Sequence, residues 1–279
     1  MNYEEFKNEL VRKFIDRLPE EYNPWTVSVQ KVNKINEAVD ALILHSQEEN
    51  CAVPAVYIKK YYLAYESGAS MEEVLREAAE EFLSARKYLK NTTENYGLEN
   101  PRENIIYVLV NTEKNRHLLD HVPHRRIMDL SLIYRVIADM KDDGFNSAVI
   151  TKEMAEAFDM DEETLFQAAA ENTPRLMPVE MAEIDKQFYI IGNKRGAFGA
   201  AAVLYEGVLE DMAEMLEQDL YIIPSSIHEV YIMPQEQIPA RIVKDAIFDA
   251  NRTVLRPEDV LSDSLYCYNR RDRCVSVAD

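Results

Sequence analysis

The stretch at residues 219–234, DLYIIPSSIHEVYIMP, constrains the fold more than any other. It contains two short apolar runs, each closed by a proline, and between them lie Ser225, Ser226, His228 and Glu229. Apolar runs that are separated by turn-forming residues predict a hairpin of two buried strands. Serine, histidine and carboxylate side chains in such a loop bond to nearby backbone groups. The stretch therefore predicts a buried hairpin whose polar residues fix its loop.

The same four polar residues are the candidate catalytic residues of the chain. Ser225 or Ser226 is a candidate nucleophile, His228 a candidate acid or base, and Glu229 an additional carboxylate. Cα atoms two residues apart in a strand are separated by about 6.5–7 Å, so a bond between Ser226 and His228 requires a bend. The chain also lacks the GxSxG elbow that usually presents a hydrolase serine. Catalysis by this loop is thus the alternative to a structural role.

Arginines near the C-terminus form a candidate anion-binding group. Arg252 follows a predicted helix at residues 239–250, and Arg270 and Arg271 lie in the loop of a predicted last hairpin. Guanidinium groups bind carboxylates and phosphates with good geometry. Carboxylates are plentiful in this chain, so pairing of these arginines with the protein's own acids is the other interpretation.

Three histidines occur within residues 115–126, NRHLLDHVPHRR. His117 and His121 are four residues apart and share one face if the segment is helical, with His124 as a third donor. The glutamate of the HExxH motif is absent, and neighbouring arginines oppose a bound cation. We therefore predict neither a metal site nor a cofactor, although metal binding at His117 and His121 stays open.

The chain is strongly acidic. Its 279 residues carry 50 Asp and Glu against 31 Lys and Arg, a net charge of −19, and the excess lies in residues 1–240. Negative charge repels nucleic acid and anionic membranes before contact, so we expect neither as a partner. A helix-turn-helix pattern at residues 151–172 is acidic where DNA contact needs positive charge. Another protein is the expected partner, and the oligomeric state is left open.

Helical and strand patterns are mixed without a regular βαβ alternation, which predicts an α+β fold with mostly antiparallel sheets. Residues 105–110 are apolar at every position, as in a strand covered on both faces. Residues 128–140 alternate and predict a strand with one polar face. Residues 200–205 predict a return strand after a glycine-containing loop.

Two prolines at residues 173–181 predict a boundary between two lobes, residues 1–175 and 182–279, that form one continuous unit. Cys51, Cys267 and Cys274 form no CxxC pair, although the last two could face one another across a hairpin. The polar N-terminus has no apolar signal region, which predicts the cytoplasm and reduced thiols.

Three segments carry a resemblance to a known family: LYIIPSSIHEVYIMP, VPHRRIMDLSLIYRV and NRTVLRPEDVLSDSLYCYNR. Over nearly its whole length the chain resembles an uncharacterised bacterial family, domain of unknown function fifty-six eighty-eight. Its members look like products of chromosomal and mobile genetic elements of anaerobic bacteria. The resemblance implies no activity, and it groups Asn251, Arg252 and Asp263 with the hairpin loop as residues to test together. Asn251 thereby joins the candidate anion-binding residues.

The leading functional expectation is a noncatalytic, acidic, protein-binding accessory or regulatory factor of a bacterial mobile element. The alternative is a hydrolase or transferase that uses Ser226 and His228 with an arginine anion site. Convergence of Glu229, Arg252 and Asp263 on His228 in one concave site would favour catalysis.

Overall fold

The structure is a computed structural model that describes residues 1–46, 53–93, 100–141, 144–185 and 188–278. The α-helices of this part of the chain are α1 (Tyr3–Lys13), α2 (Ile58–Glu66), α3 (Met71–Thr93), α4 (Arg116–Leu119), α5 (Lys152–Ala157), α6 (Glu162–Leu176), α7 (Val208–Leu216) and α8 (Ala240–Thr253).

Strands account for much of the remainder. They are β1 (Thr26–Lys34), β2 (Glu37–His45), β3 (Val56–Tyr57), β4 (Ile105–Asn111), β5 (His124–Ile127), β6 (Leu130–Lys141), β7 (Gly144–Val149), β8 (Val179–Asp185), β9 (Phe188–Asn193), β10 (Leu220–Ile223), β11 (Val230–Pro234), β12 (Tyr266–Asn269) and β13 (Cys274–Val277). Helices and antiparallel sheets occur together, so the α+β class is confirmed.

The chain divides into two compact units. The first comprises residues 1–34 and 38–99, and the second comprises residues 35–37 and 100–279. The expected lobe boundary at residues 173–181 falls inside the second unit, where it includes the end of α6 and the start of β8. The lobes 1–175 and 182–279 stay a prediction.

The first unit packs α1 and α3 with the sheet β1-β2-β3 around an aromatic core. Phe6 and Leu10 of α1, with Phe14 directly after it, recur at helical spacing, and all three are fully buried. Phe82 of α3 packs its ring against Phe14 and Tyr22, with centroids 6.1 and 5.5 Å apart. These side chains fix α1 against α3.

A capping box opens α3. The backbone N–H of Glu73 donates to Ser70 Oγ at 3.2 Å, and the Ser70 N–H donates to the Glu73 carboxylate at 2.8 Å. Glu77 and Glu80 lie on the exposed face of this helix. That face of the amphipathic helix is solvated.

The long strand β6 organises the four-stranded sheet of the second unit. It pairs with β4 along one edge, and with β5 and then β7 along the other. Residues 105–110 of β4 are all buried, which confirms a strand covered on both faces. Asn172 of α6 donates to the Arg102 and Ile105 carbonyls at 2.7 and 3.2 Å and thereby ties α6 to β4.

The prediction of a strand over residues 128–140 with one polar face was wrong in two respects. Met128 has a left-handed φ of 56° and forms with Asp129 a two-residue turn, because Ile127 already pairs with Leu130. Ser131 and Ile133 are fully buried, because α4 and the loop after it cover this face.

A six-stranded antiparallel sheet, in the order β13-β12-β10-β11-β9-β8, completes the second unit. Val243 and Ile247 of α8 pack on the face that carries Tyr221 and Met233. The opposite face, with Ile222, meets α7. Strand β8 forms one edge, all seven of its residues are exposed, and a β-bulge interrupts its pairing with β9 near Asp185.

The predicted return strand at residues 200–205 is instead a 3-10 helix, Gly199–Leu204. Four small residues in a row, Gly199 to Ala202, pack fully buried beside β9 and the loop after β10. Small apolar residues fit a closely packed 3-10 turn as well as they fit a strand. The apolar run therefore did not distinguish the two structures, and the strand prediction was wrong.

The last hairpin, β12 with β13, was predicted correctly, but its cysteines do not oppose each other. Cys267 pairs with Ser276 and Cys274 with Asn269, and the two cysteines form no disulfide. Cys51 lies outside the described residues. Within the part of the chain that the structure describes, no helix combines the length and apolar character needed to cross a bilayer.

Phe82→Ala is expected to lower the free energy of unfolding of the first unit by about 3–5 kcal/mol, because it empties a site between two aromatic rings. Trp25, the one tryptophan in the chain, packs 5.1 Å from Tyr22 and reports on this core by fluorescence during urea unfolding. Leu63→Ala, at a side chain that is 53% exposed, is the control and should shift the midpoint little. Equal loss in both variants would contradict the assigned core.

Candidate functional site

The loop between β10 and β11 spans residues 224–229 and is held by bonds within it and to distant segments. The Ser226 N–H donates to the Glu229 carbonyl at 3.1 Å, which closes the loop. The Ile227 N–H donates to the Asp259 carbonyl at 2.8 Å. Ile227 and Ser226 are buried, so the predicted hairpin with a fixed polar loop is observed.

His228 has both ring nitrogens occupied. The Phe198 N–H donates to His228 Nδ1 at 3.3 Å, and His228 Nε2 lies 3.3 Å from Asp259 Oδ1. Because Nδ1 accepts, the hydrogen-bond pattern assigns the ring proton to Nε2, which donates to Asp259. Ser226 Oγ instead accepts the backbone N–H of His228 at 3.0 Å. The serine hydroxyl and the imidazole of this loop therefore do not act on each other here.

A partly buried cation, Arg135, lies near the histidine. The Phe198 ring packs 6.2 Å from the His228 ring and 5.0 Å from the Arg135 guanidinium. Arg135 donates to the Ser147 hydroxyl and carbonyl, each at 2.9 Å. Burial lowers the pKa of Arg135 to about 10 because charge is costly away from water.

Ser225 and Glu229 face the other way, into a groove between α8 and the sheet. This α8 groove is a cavity of about 400 Å³ with mostly apolar walls, including Phe188, Ile223 and Val254. The Glu229 carboxylate accepts the hydroxyls of Ser225 and Tyr231, each at 3.5 Å. The groove thus has one carboxylate and two hydroxyls in an apolar setting.

Asn251, Arg252 and Asp263 meet at the end of α8. Arg252 donates to both oxygens of Asp263, at 3.3 and 3.2 Å, and stacks 3.3 Å over the Phe248 ring. Asn251 donates to the same carboxylate at 2.7 Å. Partial burial acts to raise the pKa of Asp263, but the bonds from Arg252 and Asn251 outweigh it and lower that pKa. Arg252 is paired with one of the protein's own acids.

Arg270 and Arg271 line a different cavity, of about 580 Å³, together with Glu217, Asp219 and Glu236. The Arg270 backbone N–H donates to the Asp219 carboxylate at 2.8 Å. An anion site formed by Arg252 together with Arg270 and Arg271 stays a prediction, and the acids around each arginine weaken its attraction for an anion.

The candidate residues therefore separate into groups. The His228 ring bonds to Asp259 and Ser226 Oγ accepts the His228 N–H, whereas Ser225 and Glu229 face the α8 groove, which Asn251 also lines. Arg252 bonds to Asp263 at the end of α8. The convergence on His228 that would favour catalysis is not seen among these residues, and their catalytic role stays a prediction.

The histidines of residues 115–126 do not assemble a ligand set in the described chain. His117 lies on the short helix α4, His121 follows it, and His124 begins β5. Across the described residues no group of three or more His, Cys, Asp or Glu side chains is arranged to hold a metal ion.

Sequence reasoning missed two partners of His228, the Asp259 carboxylate and the Phe198 N–H. Both lie about 30 residues away in the chain, and no local pattern connects them to the loop. Tyr231, by contrast, has a sequence signal, because residues two apart at a strand share a face and Tyr231 follows Glu229 by two.

A family model described as "Family of unknown function (DUF5688)" matches residues 3–187 and 180–270. The chain belongs to this family. The match confirms the resemblance carried by the hairpin and the C-terminal segment. The DUF5688 description states no activity, so roles for its residues rest on the geometry above. No curated protein and no solved structure matches the chain.

Gly199 lies so close to the backbone of the loop that a side chain does not fit there. A Cβ atom there would lie 2.4 Å from the His228 carbonyl oxygen and 2.7 Å from the Asn193 nitrogen. Gly199→Ala is therefore expected to cost about 1–3 kcal/mol, measured by urea unfolding.

Gly144→Ala is the matched control for this change, because a Cβ atom at Gly144 meets nothing within 4 Å. It should change the free energy of unfolding by about 0.5 kcal/mol or less. Similar stability of the two variants would show that the close approach at Gly199 is not a constraint.

Proposed function

We propose that this chain is a noncatalytic binding protein that recognises a basic partner protein, as an accessory or regulatory factor of a bacterial mobile element in the cytoplasm. The observation that carries the proposal is the surplus of carboxylates, 50 Asp and Glu against 31 Lys and Arg. The chain's own cations cannot neutralise this surplus, so it creates a negative field that attracts a positively charged surface.

The exposed glutamates of the chain support this proposal. Exposed glutamates such as Glu77 and Glu80 on α3 and Glu214 on α7 point to solvent, away from the core. Exposed charges of this kind contribute little to folding, so selection for stability does not account for their number.

The arrangement of the loop supports a noncatalytic role over the hydrolase or transferase alternative. A serine nucleophile needs a base within hydrogen-bond reach of its hydroxyl. Ser226 Oγ accepts a backbone N–H, and the His228 ring is engaged with Phe198 and Asp259. The mobile-element part of the proposal comes from the family resemblance.

Immobilised chain is expected to retain a basic protein from lysate of the encoding bacterium at about 0.05–0.1 M salt and to release it by about 1 M salt, because the Debye length falls from about 10 Å or more to about 3 Å. The retained protein is then purified, and its affinity is measured against salt concentration. An affinity that does not change with salt concentration would refute the proposal, and so would the failure to retain a basic protein at any salt concentration.

Charge-reduced variants provide the control. Glu77→Gln with Glu80→Gln neutralises exposed acids of the first unit, and Glu171→Gln with Glu214→Gln does so in the second. All four side chains are exposed, so both variants should fold. The variant that weakens binding identifies the unit that the partner contacts, while binding by both variants as strong as that of the unmodified chain would argue against an electrostatic contact at these faces.

A further inference from the structure

The α8 groove combines the features of a site for an alkylammonium group. Its volume of about 400 Å³ falls in the range of ligand pockets, and apolar side chains form most of its wall. A single carboxylate, that of Glu229, lies among them. A carboxylate in an apolar concavity attracts a cation more strongly than one in open solvent, because water screens it less.

The hydrogen bonds of Glu229 leave its charge uncompensated within the described residues. Both partners of its carboxylate there are neutral hydroxyls, those of Ser225 and Tyr231, and both contacts are long at 3.5 Å. Arg252, the cation at the end of the neighbouring helix, is instead bonded to Asp263. The groove thus has a negative group without a cation from the chain.

Three oxygen atoms, of Glu229, Ser225 and Tyr231, lie near each other in the groove. The Ser225 and Tyr231 hydroxyls both donate to Glu229 Oε1, so their own lone pairs remain able to accept. An ammonium group has three N–H donors, which matches one carboxylate and two hydroxyl oxygens. The Phe188 and Tyr231 rings, with centroids 5.2 Å apart, both line this groove and add aromatic surface to its wall.

We infer that the α8 groove binds a lysine side chain of the partner protein. The ammonium bonds to Glu229, Ser225 and Tyr231, and the four-carbon stem lies against the apolar wall that includes Ile223 and Val254. This inference rests on the proposed function, because the basic partner supplies the lysine. It assigns Ser225 and Glu229 to cation binding and not to catalysis.

A defined probe series tests the groove without the partner. Binding of n-hexylamine, 1-hexanol and hexanoate to the ¹⁵N-labelled chain is measured by NMR titration. We expect hexylamine to shift the amide signals of Ser225, Glu229 and Asn251, hexanol to bind more weakly, and hexanoate to bind weakest of the three. Equal binding of hexanol and hexylamine would overturn the inference.

Two variants test which side-chain atoms of the groove bind the ammonium group. Glu229→Gln keeps the shape and removes the charge, and should weaken hexylamine binding by about tenfold or more while leaving hexanol binding unchanged. Tyr231→Phe removes only a hydroxyl and should have a smaller effect. Glu236→Gln, an equal change at an exposed site at the other end of β11, is the control and should bind as the unmodified chain does. Unchanged hexylamine binding by Glu229→Gln would overturn the inference.

Retention of the basic partner by two variants separates this inference from the proposed function. Glu229→Gln is expected to weaken retention of the basic partner more than Glu236→Gln does. If the two variants retain the partner equally, the lysine site is wrong while the proposed function stands. If no basic partner binds the unmodified chain, both the function and the lysine occupant are wrong, even where hexylamine binds.

Discussion

The close approach between Gly199 and the backbone carbonyl of His228 determines how the hairpin loop is arranged. It allows the 3-10 helix Gly199–Leu204 to lie directly against the loop, with Gly192 of β9 also in contact. Held in this way, the loop presents its polar residues on two sides. The His228 ring bonds to Phe198 and Asp259, Ser226 Oγ accepts the His228 N–H, and Ser225 and Glu229 face α8. The division of the loop's chemistry is therefore a consequence of backbone packing.

Local patterns predicted the elements well where one period dominated. The two apolar runs and the prolines of residues 219–234 predicted β10 and β11, and the uninterrupted apolar run of residues 105–110 predicted β4. The pattern failed where short apolar segments fit two structures, as in the 3-10 helix, and where a turn lacked glycine or asparagine, as at Met128. The partners of His228 could not be predicted, because long-range packing brings their segments to the loop.

Charged side chains of the second unit are of two kinds: some form ion pairs within the fold, and one carboxylate has no cation partner among the described residues. Arg252 forms an ion pair with Asp263, and Arg125 forms one with Glu162, so these charges are compensated within the fold. Glu229 receives only hydroxyl hydrogens within the described chain, and it lies in a concave apolar setting. Paired groups contribute little to recognition of a ligand, whereas a carboxylate left without a cation selects for one. DUF5688 membership fits either use, so the difference in pairing is what directs attention to the α8 groove.

Strand β8 has a consequence for the behaviour of the protein at high concentration. Its outer edge exposes backbone groups along with Val179, Met181 and Ile184, which is the composition of a surface prone to aggregation. Glu180, Glu183 and Asp185 alternate with these apolar residues, and the bulge near Asp185 disturbs the regular spacing of the ladder. Two such edges that approach each other bring carboxylates of equal sign together. The acidity that favours a basic partner therefore also protects the sheet from self-association.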